Sequence, residues 1–228
     1  MGSHQYYMLM ASLPALARFD QAERLPINRE RLASRQTMLK PEDGELVECA
    51  ADFLAWFRQP ATRSDTEMVA IYERMAGIIE ERGLWPLFEL PINLRTIMAA
   101  LRRRHGGRAA LRAGELWGVG PLVSHIQRHW DDPDFKLGAV YPWIPQVRTY
   151  LEKGAGLDLE RFIMGLVWDR FDRQVPGGPF GIEALVAYLF KWRILQQWLT
   201  YDKDDARERF DELVAEVVDE WDELFNSI

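Results

Sequence analysis

The sequence contains a single cysteine, Cys49, and this scarcity limits its chemistry. One thiol cannot form an internal disulfide, so the chain fits a reducing compartment. Because Cys49 stands in a stretch with helical periodicity, we interpret it as a buried, inert thiol and not as a nucleophile. Thiol chemistry is therefore not predicted.

Long uninterrupted apolar runs are also missing. The longest, 184–201, is broken by Lys191, Arg193, Gln196 and Gln197, which favours a buried helix over a membrane span. The opening MGSHQYY carries neither a basic start nor an adequate apolar run, so we expect no signal peptide. These features predict a cytoplasmic chain without a membrane-spanning segment.

Motifs that carry catalytic chemistry are scarce as well. The stretch Gly118-Val119-Gly120 lacks the third glycine and the preceding strand of a dinucleotide site, and no Gly-Lys-Ser/Thr sequence occurs. No Ser–His–Asp or Cys–His arrangement can be nominated from the sequence. We therefore predict a non-enzymatic protein without a cofactor.

The best candidate for a metal site is the pair His125 and His129. A spacing of four puts both imidazoles on one helical face, and Asp131 or Asp132 could add an oxygen ligand. Ile126, however, stands where the zinc hydrolases with this spacing carry glutamate. We favour ordinary histidines at the surface or core edge, with a metal-dependent hydrolase on an α-helical bundle as the alternative.

Negative charge is concentrated near the C-terminal end. Between Asp202 and Glu223, eleven acidic and three basic residues give a local charge of −8, against −7 for the whole chain. This acidity argues against nucleic-acid binding. Apolar residues in this segment follow the 3-4 spacing of an amphipathic helix, which we predict over 203–225. Its acidic face is either solvated or a docking surface for a basic partner helix, with Asp211, Glu212, Glu216, Asp219, Glu220 and Glu223 as candidate residues.

Helical periodicity dominates the chain, and the alternation typical of strands is nearly absent. We predict an all-α, multi-helix bundle that forms a single domain over 1–228, either undivided or made of two lobes with a boundary near 131–142. Besides 203–225, the predicted helices cover 29–37, 41–58, 65–81, 93–104, 121–130, 142–153, 159–173 and 182–201.

Two aromatic stretches fall in predicted loops or helix starts. They are Tyr141-Pro142-Trp143 and the segment 84–88, which reads LWPLF. If exposed, these side chains would be interface anchors, and if buried, they would close the ends of the bundle. The sequence leaves both interpretations open.

The stretch Asn93 to Gly107 combines an apolar stripe with a basic end. Asn93 suits an N-cap and Gly106-Gly107 a helix stop, and positive charge complements the C-terminal end of the helix dipole. The charged residues are Arg95, Arg102, Arg103, Arg104 and His105. Physical reasoning alone favours an ordinary amphipathic helix with a solvated basic end.

The same stretch, NLRTIMAALRRRHGG, resembles a recurring segment of the central-stalk C subunit of V/A-type ATPases, which is the d subunit in eukaryotes. The opening YYMLMASLP at 6–14 resembles the start of a small uncharacterised bacterial family that is typically encoded beside V/A-type ATPase genes. The segment AYLFKWRIL at 187–195, followed by Trp198 and Tyr201-Asp202, resembles its closing region. The likeness therefore spans nearly the whole chain.

This resemblance implies part of the C-subunit fold and a cytoplasmic adaptor, peripheral to the inner membrane, in an ion-transporting complex. Its partners would be the central-stalk and rotor-ring subunits of a V/A-type ATPase. We expect Arg95, Arg102, Arg103 and Arg104 to form one polar contact surface and the acidic C-terminal helix to form another. A transient assembly factor, or chaperone-like helical binding module, is the alternative from a different class.

Overall fold

The computed structural model describes residues 6–54, 65–109, 117–173 and 178–201, and every regular element in these ranges is a helix. Most helix bounds lie close to those predicted from periodicity, and the all-α class is confirmed for these residues. The helices are α1 (Tyr7–Ala11), α2 (Arg29–Gln36), α3 (Pro41–Leu54), α4 (Asp65–Glu81), α5 (Trp85–His105), α6 (Val123–Arg128), α7 (Ile144–Lys153), α8 (Gly156–Arg173) and α9 (182–201).

Local signals explain most of the agreement. The bounds of α4 and α9 are those predicted, α7 ends before the left-handed Gly154, and Pro41 opens α3. The five-residue α1 is not predicted by the sequence, because it is too short to show a helical period. The predicted helix 203–225 and the predicted end of α3 at 55–58 lie outside the described residues.

The largest correction concerns the start of α5. The sequence predicts that Asn93 caps a new helix after Leu90-Pro91, but α5 begins at Trp85 and passes through Pro91 without interruption. Asn93 lies inside the helix, 2% exposed, and its Nδ2 donates a hydrogen bond of 2.8 Å to the Tyr141 hydroxyl. The side chain predicted to cap a helix therefore joins α5 to the segment before α7.

Burial accounts for a helix that continues through proline. An interior proline costs about 3 kcal/mol through a lost hydrogen bond and a clash with the preceding turn. Leu87, Phe88, Ile92 and Leu94 surround Pro91 in sequence and are at most 1% exposed, and each buried side chain of this size contributes about 1.5–3 kcal/mol. Packing thus outweighs the local defect. Pro86, in the first turn, marks the true start.

The core forms around α5. Its C-terminal half packs with Ile126, Phe135, α7 and the start of α8, and its N-terminal half packs with α3, α4 and α9. Two further clusters join α1 and α2 to α9, and α8 to α9. Residues before and after 131–142 contribute to the same cluster, and the lobe boundary near 131–142 stays a prediction.

Helices α8 and α9 run antiparallel, which fixes where the described chain ends. The ring centroids of Phe171 and Phe190 lie 5.2 Å apart, while the Arg161 guanidinium lies 5.6 Å from the Trp198 ring. Residues nearer the end of α9 therefore contact residues nearer the start of α8. The C-terminal end of α9, at Tyr201, consequently lies beside the N-terminal half of α8.

The aromatic stretches that the sequence left open are largely buried. Leu84, Phe88, Tyr141 and Trp143 are at most 9% exposed. Burial raises the pKa of Tyr141, the hydrogen bond from Asn93 opposes this rise, and Glu89 adds to it. These four side chains belong to the core clusters, which agrees with burial, the second of the two interpretations.

Candidate functional site

The arginines at the end of α5 point in different directions. Arg95 and Arg102 are seven residues apart, two helical turns, and line one groove. Arg103 borders the adjoining depression, and its Nε donates a hydrogen bond of 3.1 Å to the Ala109 carbonyl. Arg95, Arg102 and Arg103 therefore border adjoining depressions, and their role as a contact surface stays a prediction.

Arg104 faces the segment 130–135. Its Nη1 donates to the Pro133 carbonyl at 3.1 Å, and its Nη2 donates to the carbonyls of Asp132, at 2.9 Å, and Trp130. The guanidinium carbon lies 4.1 Å from the Phe135 ring centroid, a cation–π arrangement. Burial lowers the pKa of Arg104, and the charge of Arg148 lowers it further. Arg104 therefore stabilises this segment, and sequence alone grouped it with the other three arginines.

We call the space between the start of α4, the outer face of α5 and the start of α8 the arginine groove. It has a volume of about 240 Å³, and it continues into an open depression of about 340 Å³ beside Arg103 and Arg108. Its charged lining residues are Arg95 and Arg102, with Asp65 and Glu160 of opposite sign. The positive charges therefore exceed the negative ones across the combined surface.

The floor of the arginine groove is apolar. Met68, Met98 and Ile163 are at most 6% exposed, and Val69 and Ala99 complete the lining. Because Met68, Met98 and Ile163 are packed into the core, the accessible apolar surface of the groove comes mainly from Val69 and Ala99.

One wall of the arginine groove is the segment Trp117 to Gly120, which Thr96 holds against α5. The Thr96 hydroxyl donates a hydrogen bond of 2.5 Å to the Val119 carbonyl and accepts one of 3.0 Å from the Val119 N–H. A Cβ at Gly118 would lie 2.9 Å from Thr96 Cγ2, and Gly120 has a φ of +83°. The two glycines thus allow the backbone of this segment to lie close to α5. This packing accounts for the sequence Gly118-Val119-Gly120, which matches only part of a dinucleotide-binding motif.

His125 and His129 use ring nitrogens to hold backbone carbonyls. His125 Nε2 lies 2.9 Å from the Phe135 carbonyl oxygen, His129 Nδ1 lies 2.9 Å from the His125 carbonyl oxygen, and the ring centroids are 4.4 Å apart. Within the described ranges, no group of three His, Cys, Asp or Glu residues is placed to hold a metal. The pair therefore supports the turn structure that follows α6.

Asp132, a predicted oxygen ligand, also organises this turn. Its Oδ1 accepts hydrogen bonds of 3.1 Å from the backbone N–H groups of Asp134 and Lys136. A hydrogen bond with the Asp134 side chain and these backbone donors hold the pKa of Asp132 below its usual value. Phe135 and Lys136 have φ angles of 57° and 56°, so the segment is a tight turn.

The second predicted surface lies on residues that the structure does not describe. All six acidic candidates, from Asp211 to Glu223, fall within 202–228. Sequence reasoning also missed three residues of the arginine groove, namely Asp65, Trp117 and Glu160. They are distant in sequence from the arginines, and no local pattern connects them to α5.

The described architecture is that of an all-helical protein built around one central helix with a partly basic groove at its end. A family sequence profile matches residues 30–221, and the chain belongs to this family, described as protein of unknown function DUF2764. Neither a curated protein nor a solved structure matches the chain. Among the described helices, none is long and apolar enough to cross a membrane.

Proposed function

We propose that this protein is a non-enzymatic adaptor of a V/A-type ATPase, similar to its C subunit, that links the central stalk to the membrane rotor ring. The resemblance of three segments, near the start, middle and end of the chain, supports this proposal. The position of segment 93–107 also supports the proposal. This segment, which carries the arginine-rich resemblance, is the part of α5 that borders the arginine groove. On this proposal the protein works in the cytoplasm and reaches the inner membrane through its partners.

The observation that carries the proposal is that the arginines stand on a well-packed helix. Eleven residues of α5 are buried, and they hold the helix between two core clusters. A mechanical adaptor must transmit force without bending, so its contact residues are best carried by a well-packed element. Arg95 and Arg102 meet this requirement.

Charge and apolar surface would have separate effects on partner binding. A single exposed ion pair contributes only about 0–1 kcal/mol, so arginines alone do not make a stable complex. They can raise the association rate and fix the orientation of an acidic partner. Met68, Met98 and Ile163 are already buried, so a partner could gain affinity only from the partly exposed apolar residues of the groove, Val69 and Ala99.

A native pull-down of the tagged protein from its own host tests the proposal, with partners counted by mass spectrometry. We expect stoichiometric recovery of ATPase stalk and ring subunits, and substoichiometric recovery would favour the assembly factor instead. Absence of every ATPase subunit after mild extraction would refute both.

Charge reversal then tests the surface. The double variant Arg102→Glu, Arg103→Glu should reduce recovery of ATPase subunits several-fold, while Arg31→Glu, an exposed arginine on α2, should leave it unchanged. Arg104 is kept, because its replacement would disturb the segment 130–135. Equal recovery with both variants would remove the arginine groove from the partner interface.

A further inference from the structure

We propose that the end of α5 and the turn after it form a binding site for a multiply charged phosphate group. The site, which we call the arginine depression, is the open depression beside the arginine groove that Arg102, Arg103 and Arg108 line. It shares Arg102 and Arg103 with the surface proposed for the ATPase partner. Phosphate binding is a property of the isolated chain, so it can be tested without any partner protein.

The turn after α5 brings Arg108 to the same depression as Arg102 and Arg103. The backbone N–H of Arg108 donates a hydrogen bond of 3.1 Å to the Arg103 carbonyl, and Gly107 has a φ of +68°. Glycine adopts this left-handed conformation without a steric penalty, and it commonly reverses the chain at the end of a helix. Arg108 therefore belongs to the site, although it lies outside the run of arginines on α5.

Two of these arginines are available to a ligand. The side chains of Arg102 and Arg108 are exposed, and neither forms an ion pair or a side-chain hydrogen bond with the part of the chain that the structure describes. Arg104, by contrast, donates to backbone carbonyls of the segment 130–135. Because a guanidinium presents its N–H donors in a planar fork, Arg102 and Arg108 can bind phosphate oxygens through charge-assisted hydrogen bonds.

Positive charge exceeds negative charge in the arginine depression. Its described lining has three arginines and one carboxylate, that of Asp65, which leaves a charge of +2. Like charges held in one place repel each other, and a bound anion offsets this repulsion. A phosphate monoester carries a charge of about −1.5 to −2 near neutral pH, whereas a single carboxylate carries less. The charge of the depression therefore suits a phosphate group.

The C-terminal end of α5 does not cancel this attraction. A helix end exposes carbonyl oxygens and carries about half a negative charge, which opposes the binding of an anion. Here the carbonyls of residues 102–104 accept hydrogen bonds of 2.9–3.1 Å from the backbone N–H groups of residues 106–108. Because these carbonyls are hydrogen-bonded and the arginines carry full charges, the local field favours an anion.

Isothermal titration calorimetry of the full-length protein with inorganic pyrophosphate tests the proposal at low ionic strength. We expect saturable binding to a single site per chain. The double variant Arg102→Gln, Arg108→Gln should weaken this binding by about tenfold or more. The matched control Arg31→Gln, Arg35→Gln removes the same charge from exposed positions on α2 and should change the affinity by less than about twofold.

Two comparisons identify the chemistry and the source of the ligand. Citrate has a similar total charge to pyrophosphate near neutral pH, but it spreads that charge over separate carboxylates, so it should bind several-fold more weakly. Vesicles of phosphatidylcholine with phosphatidic acid present phosphate monoesters on a membrane. Co-sedimentation that requires phosphatidic acid, and that the double variant abolishes, would identify a lipid headgroup as the source, whereas pyrophosphate binding without co-sedimentation would identify a soluble phosphate.

Three results would overturn the proposal. They are the absence of saturable pyrophosphate binding, an equal loss of affinity in the double variant and in its matched control, and equal affinities for citrate and pyrophosphate. The calorimetry contains no ATPase subunit, so a failed pull-down would leave the phosphate result standing. If both proposals hold, added pyrophosphate should reduce recovery of ATPase subunits with the wild type.

Discussion

Replacing Arg104 by methionine tests whether this arginine belongs to the fold or to a partner surface. Methionine keeps most of the aliphatic stem but removes the guanidinium that donates to the carbonyls of Trp130, Asp132 and Pro133. At about 1 kcal/mol for each hydrogen bond, and about 0.5–1 kcal/mol for the cation–π contact, the loss sums to roughly 2–4 kcal/mol once partial exposure is considered. We therefore expect a clear fall in stability.

Urea unfolding, followed by circular dichroism, provides the measurement. The matched control is Arg102→Met, an exposed position earlier on α5, which should change the free energy of unfolding by no more than about 0.5 kcal/mol. The dependence on urea should be the same for both variants, because neither changes the surface exposed on unfolding. Equal stability of the two variants would refute the assignment of Arg104 to the fold.

Three further predictions concern the groove wall, a buried phenol and the histidines. Gly120→Ala should destabilise the protein by about 1–3 kcal/mol, because φ is +83° and the new Cβ would lie 2.6 Å from a side-chain carbon. Gly77→Ala, in open space on α4, should instead stabilise it by about 0.5–1 kcal/mol. A higher melting temperature for Gly120→Ala than for Gly77→Ala would contradict this prediction. Burial raises the pKa of Tyr188 to about 12, so stability is retained below the unfolded pKa of about 10 and falls as the pH rises from there towards 12. Tyr188→Phe should flatten this fall in unfolding free energies, and an unchanged pH profile would show that the phenol is not responsible. Dialysis against a chelator should not change the melting temperature of the wild type or of the double variant His125→Ala, His129→Ala. Elemental analysis of the wild type should find no stoichiometric metal. A bound metal that is lost when both histidines are replaced would favour the hydrolase alternative.

The sequence predicted most helices because their signals are local. In α4 and α9 the apolar residues recur with the helical period, and Gly83 and Gly154 end α4 and α7 in the left-handed conformation. These preferences depend on hydrogen bonds and side chains within a few residues. They could therefore be inferred from one sequence.

The start of α5 was predicted wrongly because a local signal competed with tertiary packing. Pro91 and Asn93 together indicate a helix boundary, yet both are buried within one continuous helix. Pro86 in the first turn was a usable signal for the true start. Whether the helix starts at Pro86 or after Pro91 depends on how deeply the side chains around Pro91 are buried, and only the fold determines that burial.

Some features of the candidate site could likewise be predicted from the sequence, and others depended on the tertiary structure. The sequence identified the arginines at the end of α5 and the acidic segment near the C-terminus, because charge clusters are visible in any sequence. The tertiary structure decided that Arg104 contacts the segment 130–135 while Arg95 and Arg102 border a groove. It also brought Asp65, Trp117 and Glu160 to that groove from three other parts of the chain. Side-chain partners are set by the packing of distant elements, and a helical period fixes only the direction in which each side chain leaves its own helix.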